Sequence, residues 1–148
     1  MKLNEFISLG SIYVDVDADS VKNVFKKISI FFSKRDKQKA MTINEKLNER
    51  ERLGSTGVGN GIAIPHTKIP GLKKTQVICL KLISAVDFSA SDKKGVDIVF
   101  SIIAPENSQS EHLLILSSIS NFLKNKNYVN KLRELKEPQK ILTLFSKV

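Results

Sequence analysis

The sequence predicts an α/β fold, in which helices and buried strands alternate within one domain spanning residues 1–148. Two observations lead to this prediction. Apolar residues recur at helical spacing in two long segments, and two other segments are nearly continuous apolar runs of strand length. With 148 residues, of which 41% are hydrophobic, the chain is long enough to bury a core without disulfides.

The N-terminal part predicts a short strand over residues 12–16 and then two helices. Asp17, Asp19 and Ser20 are candidate caps for the first helix, which begins at about Val21. Its apolar face consists of Val21, Val24, Phe25, Ile28, Phe31 and Phe32. After a polar loop over residues 34–39, residues 42–45 have the form of a capping box. We therefore expect the second helix to begin there and to stop at Gly54.

The stretch from Gly54 to His66 is the most informative part of the chain. It reads Gly-Ser-Thr-Gly-Val-Gly-Asn-Gly-Ile-Ala-Ile-Pro-His, with four glycines within eight residues. Such a density of glycine predicts a tight loop that brings main-chain amides close to a ligand. Residues 62–64 are predicted to be a short buried strand ending at Pro65, which restricts the backbone leading to His66. A histidine in this position is either a packed residue or a functional one.

Two apolar runs, residues 77–83 and residues 96–104, predict strands that are covered on both faces. The second run ends at Pro105, and residues 88–95 between the runs are expected to form a loop or a hairpin. Cys79 lies within the first run and is predicted to be a packed core residue.

A third helix, capped by Ser108 or Ser110 and reaching about Asn125, contains the second histidine. His112 heads an apolar stripe in its first turn, which continues with Ile115, Leu116, Ile119, Phe122 and Leu123. There it is either a packed residue or a group that meets an anion at the helix N-terminus. Two further helical segments, 128–135 and 138–145, complete the chain.

The composition restricts the classes of partner. Lysine and arginine number 24 against 15 acidic residues, so the formal net charge is +9 and a basic nucleic-acid-binding module is one alternative function. However, the lysines are scattered and no aromatic residues alternate with them, so we expect solvated helix faces and no nucleic acid. The single cysteine cannot form an internal disulfide, and no signal peptide or membrane-spanning segment is evident. These features predict a cytoplasmic protein without membrane insertion.

Other chemistries for the glycine-rich stretch have little support. Ile62 lies where a dinucleotide-binding fingerprint needs its last glycine, and no Gly-Lys-Ser/Thr follows as in a phosphate-binding P-loop. A histidine-based hydrolase needs a serine or cysteine nucleophile, and the sequence identifies none near His66. With only two histidines and one cysteine, a zinc site would need carboxylates, so we expect no metal and no cofactor.

The stretch from Gly54 to His66 resembles the phosphorylation-site signature of enzyme IIA domains of the fructose/mannitol class, from the bacterial phosphoenolpyruvate-dependent phosphotransferase system. It is most similar to the nitrogen-regulatory IIA proteins. The resemblance implies a mixed β-sheet flanked by helices over essentially the whole chain, with His66 as the phosphorylated nucleophile. It also implies that His112 is a second active-site histidine and that Arg50, sixteen positions before His66, holds the phosphoryl group. Arg52 is the alternative to Arg50.

The resemblance implies a phosphotransferase that accepts a phosphoryl group from the phosphorylated histidine-containing phosphocarrier protein. Two roles remain open: a free-standing regulatory protein that acts on target proteins, and the IIA component of a sugar uptake system that passes the group to a separate IIB domain. Further phosphate-binding donors are expected at Ser55, Thr56 and Asn60. Thr67 stands where many relatives have glycine, and it either donates to the phosphate or narrows access to the imidazole.

Overall fold

A six-stranded mixed sheet lies at the centre of the computed structural model, which describes residues 2–108 and 110–147. The strands are β1 (Ile12–Val16), β2 (Gly57–Gly59), β3 (Ile62–Ala63), β4 (His66–Ile69), β5 (Gln76–Val86) and β6 (Val96–Pro105). The helices are α1 (Val21–Ser33), α2 (Lys37–Arg52), α3 (Ser110–Lys124), α4 (Lys126–Glu134) and α5 (Pro138–Phe145). Two short 3₁₀ turns, Leu3–Glu5 and Leu9–Ser11, precede β1.

The strand β6 organises the sheet. It pairs antiparallel with β5 on one side, while β3 and β4 lie end to end along its other side, both parallel to it. The edge strand β1 pairs parallel with β5, and β2 forms a hairpin with β3. The predicted α/β fold with a mixed sheet flanked by helices is therefore confirmed.

Side chains that alternate along β6 supply two hydrophobic cores, one on each face of the sheet. Ile98, Phe100 and Ile102 pack with residues of α3, α4 and α5. Val99 and Ile103 face the opposite way and pack with α1 and α2. Both faces of the sheet are thus covered by helices, as the continuous apolar runs predicted.

Cys79 is fully buried in β5, which confirms its prediction as a core residue. Burial raises the pKa of its thiol to about 12.

The start of the second helix differs from its prediction. It begins at Lys37, where the side chain of Asp36 accepts a hydrogen bond from the backbone N–H of Lys39. Thr42 lies inside this helix and donates its hydroxyl to the carbonyl of Gln38, so the predicted capping box is wrong. The polar residues before Thr42 hide the start, because they carry good helix formers but no apolar periodicity. In contrast, Ser20, one of the three predicted candidates, caps α1.

The glycine-rich stretch forms a hairpin and not only a loop. Asn60 and Gly61 turn the chain between β2 and β3 with positive φ angles of 56° and 79°, a conformation that Asn-Gly pairs favour in two-residue turns. A Cβ at Gly61 would collide with the guanidinium of Arg133, which lies against the turn. This hairpin therefore needs glycine for its backbone conformation, and Arg133 would have to move to admit a Cβ.

The C-terminal helices agree with the sequence to within two residues, since α4 begins at Lys126 and α5 at Pro138. Ser110 is the first residue of α3. Gln109, between the two predicted caps Ser108 and Ser110, lies outside the described residues, so the cap of α3 stays a prediction. Within the described ranges, the helices are too short or too polar to cross a membrane.

Candidate active site

His66 follows a break in the strand that runs beside β6. Pro65 has no backbone N–H, and it interrupts the pairing with β6 at the point between β3 and β4. Its carbonyl oxygen instead accepts two hydrogen bonds, from the backbone N–H of Ile102 at 3.0 Å and from the buried hydroxyl of Ser101 at 2.9 Å. Pairing resumes at His66, opposite Ile102. The segment before the histidine is therefore held firmly on the central strand.

One ring nitrogen of His66 is fixed by the backbone. Its Nδ1 lies 2.8 Å from the carbonyl oxygen of Ile64, two residues earlier. A carbonyl oxygen can only accept a hydrogen bond, so Nδ1 carries the proton in the neutral ring. The other nitrogen, Nε2, then holds a free lone pair. Because the residue is partly exposed, this lone pair can meet an electrophile from solution.

The two histidines lie together. The ring centroids of His66 and His112 are 5.8 Å apart, with the planes inclined at 38°. His112 belongs to the first turn of α3, where unpaired backbone N–H groups favour an anion. Its Nδ1 is buried and has no hydrogen-bond partner among the described residues.

Burial lowers the pKa of His112, and the nearby charges of His66 and Lys68 lower it further. This imidazole is therefore biased toward its neutral form near pH 7. A neutral ring still offers one N–H donor, and it adds no positive charge that would suppress the nucleophilicity of His66.

Strand alternation separates the side chains on β4. Lys68 shares the face of His66, whereas Thr67 lies opposite Ile103 and faces the helices α1 and α2. Thr67 is thus directed away from the histidine pair. Lys68 was missed by the sequence analysis, although the two-residue period of a strand after His66 would have indicated it. It supplies a positive charge next to the two imidazoles.

The last turn of α2 is tied to the glycine-rich stretch. Arg50 donates from Nη1 to the carbonyl oxygen of Gly54 at 3.0 Å. The carboxylate of Glu51 accepts from the backbone N–H of Thr56 at 3.0 Å and from its hydroxyl at 2.6 Å. Arg50 therefore lies at the start of the stretch that leads to His66, without a hydrogen bond to either imidazole in the described structure. Arg52 is exposed.

The remaining predicted donors are Ser55 and Thr56, whose hydroxyls are bonded to other residues, and Asn60, which lies away from the histidines. The hydroxyl of Ser55 donates to the carbonyl of Phe88, and that of Thr56 is held by Glu51. Asn60 lies at the tip of the β2–β3 hairpin, where Gly61 bonds the backbone of Asp97. Asp97 precedes Ile102 by five positions on β6, so Asn60 is about 16 Å along the sheet from His66. The structure brings His66 and His112 together, and it does not bring Asn60 to them.

Two positioning residues were not identified from the sequence. Ser101 is a buried serine within an otherwise apolar strand, and that contrast was the available signal. Glu51 lies in the charged last turn of α2, and only the fold shows that it holds Thr56. No group of three or more histidine, cysteine, aspartate or glutamate side chains capable of holding a metal ion occurs in residues 2–108 and 110–147.

Comparisons with known proteins place the chain in one family. The family model for the "Phosphoenolpyruvate-dependent sugar phosphotransferase system, EIIA 2" matches residues 5–148. The nitrogen regulatory protein of Pseudomonas aeruginosa is 37% identical over 134 residues, which cover 90% of this chain and 87% of that protein. The nitrogen regulatory protein of Bradyrhizobium diazoefficiens is 30% identical over 146 residues, which cover 99% of this chain and 95% of that protein.

Solved structures show the same fold. The crystal structure of nitrogen regulatory protein IIA-Ntr from Neisseria meningitidis matches with a TM-score of 0.89 and 29% identity, covering 97% of this chain and 98% of that one. IIA mannitol from Escherichia coli matches with a TM-score of 0.76 at 20% identity, covering 92% of this chain and 96% of that one. The second likeness concerns the fold alone.

Proposed function

The chain belongs to the EIIA 2 family of the phosphoenolpyruvate-dependent sugar phosphotransferase system, and we propose that it carries a phosphoryl group on Nε2 of His66. The observation that carries this proposal is the hydrogen bond between His66 Nδ1 and the carbonyl of Ile64. It fixes the tautomer and the ring orientation, and it leaves the nucleophilic nitrogen free.

The proposed donor is the phosphorylated histidine-containing phosphocarrier protein. Nε2 of His66 attacks phosphorus and forms a new N–P bond, while the N–P bond of the donor breaks and its electron pair returns to the donor ring. The His66 ring keeps its Nδ1 proton and becomes cationic, and the donor ring loses the equivalent charge. The carbonyl of Ile64 stabilises the cation. A cationic ring is a good leaving group, so the phosphoryl group remains transferable.

The surrounding groups would stabilise the charge on the phosphoryl oxygens, which is the main demand of this reaction. His112, at the N-terminus of α3, offers an N–H donor, and its ring centroid lies 5.8 Å from that of His66. Lys68 supplies a positive charge from the same face of β4. Arg50 bonds the nearby Gly54, and its guanidinium has four further N–H donors with which to bind phosphate oxygens.

We assign the carrier to the free-standing regulatory type, in which the phosphorylation state of His66 controls binding to target proteins. Its support is the near full-length similarity to several nitrogen regulatory proteins. The second role, transfer to a separate IIB domain in sugar uptake, is favoured by 35% identity over 102 residues to the fructose-specific EIIA component of Haloferax volcanii.

In the test, the protein is incubated with phosphoenolpyruvate and the two general phosphotransferase proteins. The mass of the intact protein is then measured before and after treatment with acid. We expect one acid-labile phosphoryl group on the wild type and none on His66→Gln. Labelling of His66→Gln at the wild-type level would refute the assignment. Adding a purified IIB protein then separates the two roles, because a sugar-uptake component loses its phosphoryl group to it and a regulatory protein retains it.

A further inference from the structure

A cavity of about 660 Å³ opens between the end of α1, the start of β5 and the N-terminal 3₁₀ turns. We call it the α1–β5 cleft and define it by Tyr13, Phe31, Lys34, Lys39, Lys74 and Thr75, which are among its lining residues. Its volume lies within the range of about 300–1,000 Å³ that is typical of small-molecule sites. A second hollow of about 560 Å³ adjoins it and shares two of its lysines.

The lysines of the α1–β5 cleft carry uncompensated charge. Lys34, Lys39 and Lys74 line the cleft, and Lys73 lines the adjoining hollow. The ion pairs found among residues 2–108 and 110–147 involve none of them. Several cations around one concave surface produce a positive potential that attracts an anion.

The acidic residues at these two cavities are already engaged. Glu5 accepts a hydrogen bond from the backbone N–H of Lys2. Asp36 caps α2 by accepting from the backbone N–H of Lys39. Neither forms a salt bridge with the lysines, and four lysines against two carboxylates leave the combined lining with a net positive charge.

The cleft also has an aromatic wall and an unsatisfied hydroxyl. The rings of Tyr13 and Phe31 stack with their centroids 3.8 Å apart and their planes inclined at 8°, and both residues are only partly buried. Oγ1 of Thr75 is buried without a hydrogen-bond partner in the described structure. A buried hydroxyl normally has a partner, so a ligand atom entering beside it would supply one.

We propose that the α1–β5 cleft binds a phosphorylated small molecule with an aromatic ring, of the mononucleotide class. The lysines hold the phosphate, and the ring packs against the Tyr13–Phe31 wall. A nucleic acid fits less well, because the lysines line one cleft and the hollow beside it and do not alternate with aromatic residues along an extended groove.

This site is separate from the histidine pair. The cleft reaches Val77 in β5, which pairs with Ile102 from one side while His66 pairs with it from the other. Two strand spacings place the backbones of Val77 and His66 about 10 Å apart. The imidazole faces α3, whereas Phe31 and the cleft lysines belong to α1, α2 and the loop before β5.

In the first test, the whole chain is titrated with AMP, and binding is monitored through the NMR chemical shifts of the backbone amides. We expect shifts concentrated at Lys34, Thr75 and Gln76. Adenosine lacks the phosphate and ribose 5-phosphate lacks the aromatic ring. Each should bind at least about tenfold more weakly than AMP. The proposal fails if millimolar AMP leaves these resonances unmoved, or if ribose 5-phosphate and inorganic phosphate bind as well as AMP.

The second test compares two variants that lose the same charge. K39Q/K74Q removes two cleft lysines, whereas K22Q/K26Q removes two exposed lysines of α1 that lie outside the cleft lining. We expect the first to weaken AMP binding about tenfold or more and the second to change it less than about twofold. Equal losses in both variants would mean attraction by net charge alone and would overturn the proposal.

Discussion

The two ends of the strand β6 treat their polar groups in opposite ways. At its start, Asp97 receives hydrogen bonds from Nε and Nη2 of Arg133, which also bonds the carbonyl of Asn60. Nearby, the ammonium group of Lys81 bonds two carbonyls at the end of α4. Polar groups here are paired with one another, and they lock α4 and the β2–β3 hairpin onto the sheet.

Near Ile102, toward the other end of β6, two histidines that lie beside the strand each have a ring nitrogen without a hydrogen-bond partner in the described parts of the chain. Nδ1 of His112 is buried and unpaired, and Nε2 of His66 bonds to no residue in the described parts of the chain. Buried polar groups are normally paired, so the unpaired Nδ1 of His112 indicates a place for a ligand, and the Nε2 of His66 faces the same place from a partly exposed ring. We therefore propose that one end of β6 contributes to stability and the other to reactivity. It can be tested by substitutions that should affect one property and spare the other.

His112→Gln should have the largest effect on transfer. Removing a donor that stabilises charge in the transition state costs about 10²–10³-fold in rate, and we expect a loss of this order. The free energy of unfolding should change by less than about 1 kcal/mol, because the removed Nδ1 has no partner to lose. Rapid-quench phosphorylation and urea denaturation measure the two properties. A transfer rate equal to that of the wild type would exclude His112 from the site.

Asp97→Asn should give the reverse result. It weakens the charged hydrogen bonds to Arg133, and we expect a loss of about 1–2 kcal/mol in the free energy of unfolding at an unchanged transfer rate. Glu137→Gln is the matched control, since it breaks an exposed pair with Lys140 at 3.4 Å and should cost less than about 0.5 kcal/mol. Slower transfer in Asp97→Asn would break the proposed division between the two ends.

Arg50→Ala should slow transfer by about tenfold, because it removes a cation from the start of the stretch leading to His66. Arg52→Ala removes the same charge from an exposed neighbour and should leave the rate within about twofold of the wild type. Both are measured in the phosphorylation assay. If Arg52→Ala is the slower variant, the predicted roles of the two arginines must be exchanged.

The smallest effect concerns pH. Because the pKa of His112 is lowered in the folded chain, the unfolded chain takes up this proton first as the pH falls through its usual value of about 6.5. The free energy of unfolding of the wild type should therefore decrease as the pH falls from about 6.5 to the lowered pKa of His112 in the folded chain. His112→Gln should lose less stability over the same interval in urea denaturation. Identical pH profiles would show that burial of this imidazole does not affect stability.

Most of the fold was predictable because its signals are local. The apolar stripe of α1, the continuous runs of β5 and β6 and the cap at Ser20 follow from side-chain periodicity and hydrogen-bond chemistry. The strand β4 was not predicted, since His66–Ile69 has little strand character of its own and is extended because it pairs with β6. The early start of α2 was hidden by a polar segment that lacks periodicity.

For the candidate site, sequence reasoning found the two histidines but not their surroundings. The resemblance pointed to His66 and His112, and the fold brings the two rings together. The role of Ser101 depends on a hydrogen bond across 36 positions of sequence, which no local pattern indicates. Asn60 was expected near the phosphate because the glycine-rich stretch looked like one loop, whereas a hairpin turn carries it to the opposite end of the sheet.

The buried thiol of Cys79 makes it practical to measure the binding of partner proteins with a fluorescent label. Thiol-specific reagents react with the thiolate, and a fully buried group with a pKa of about 12 supplies almost none at neutral pH. A cysteine introduced on the surface would therefore be the single labelled position. A fluorophore attached beside the histidine pair could then report each arrival and departure of a carrier in real time.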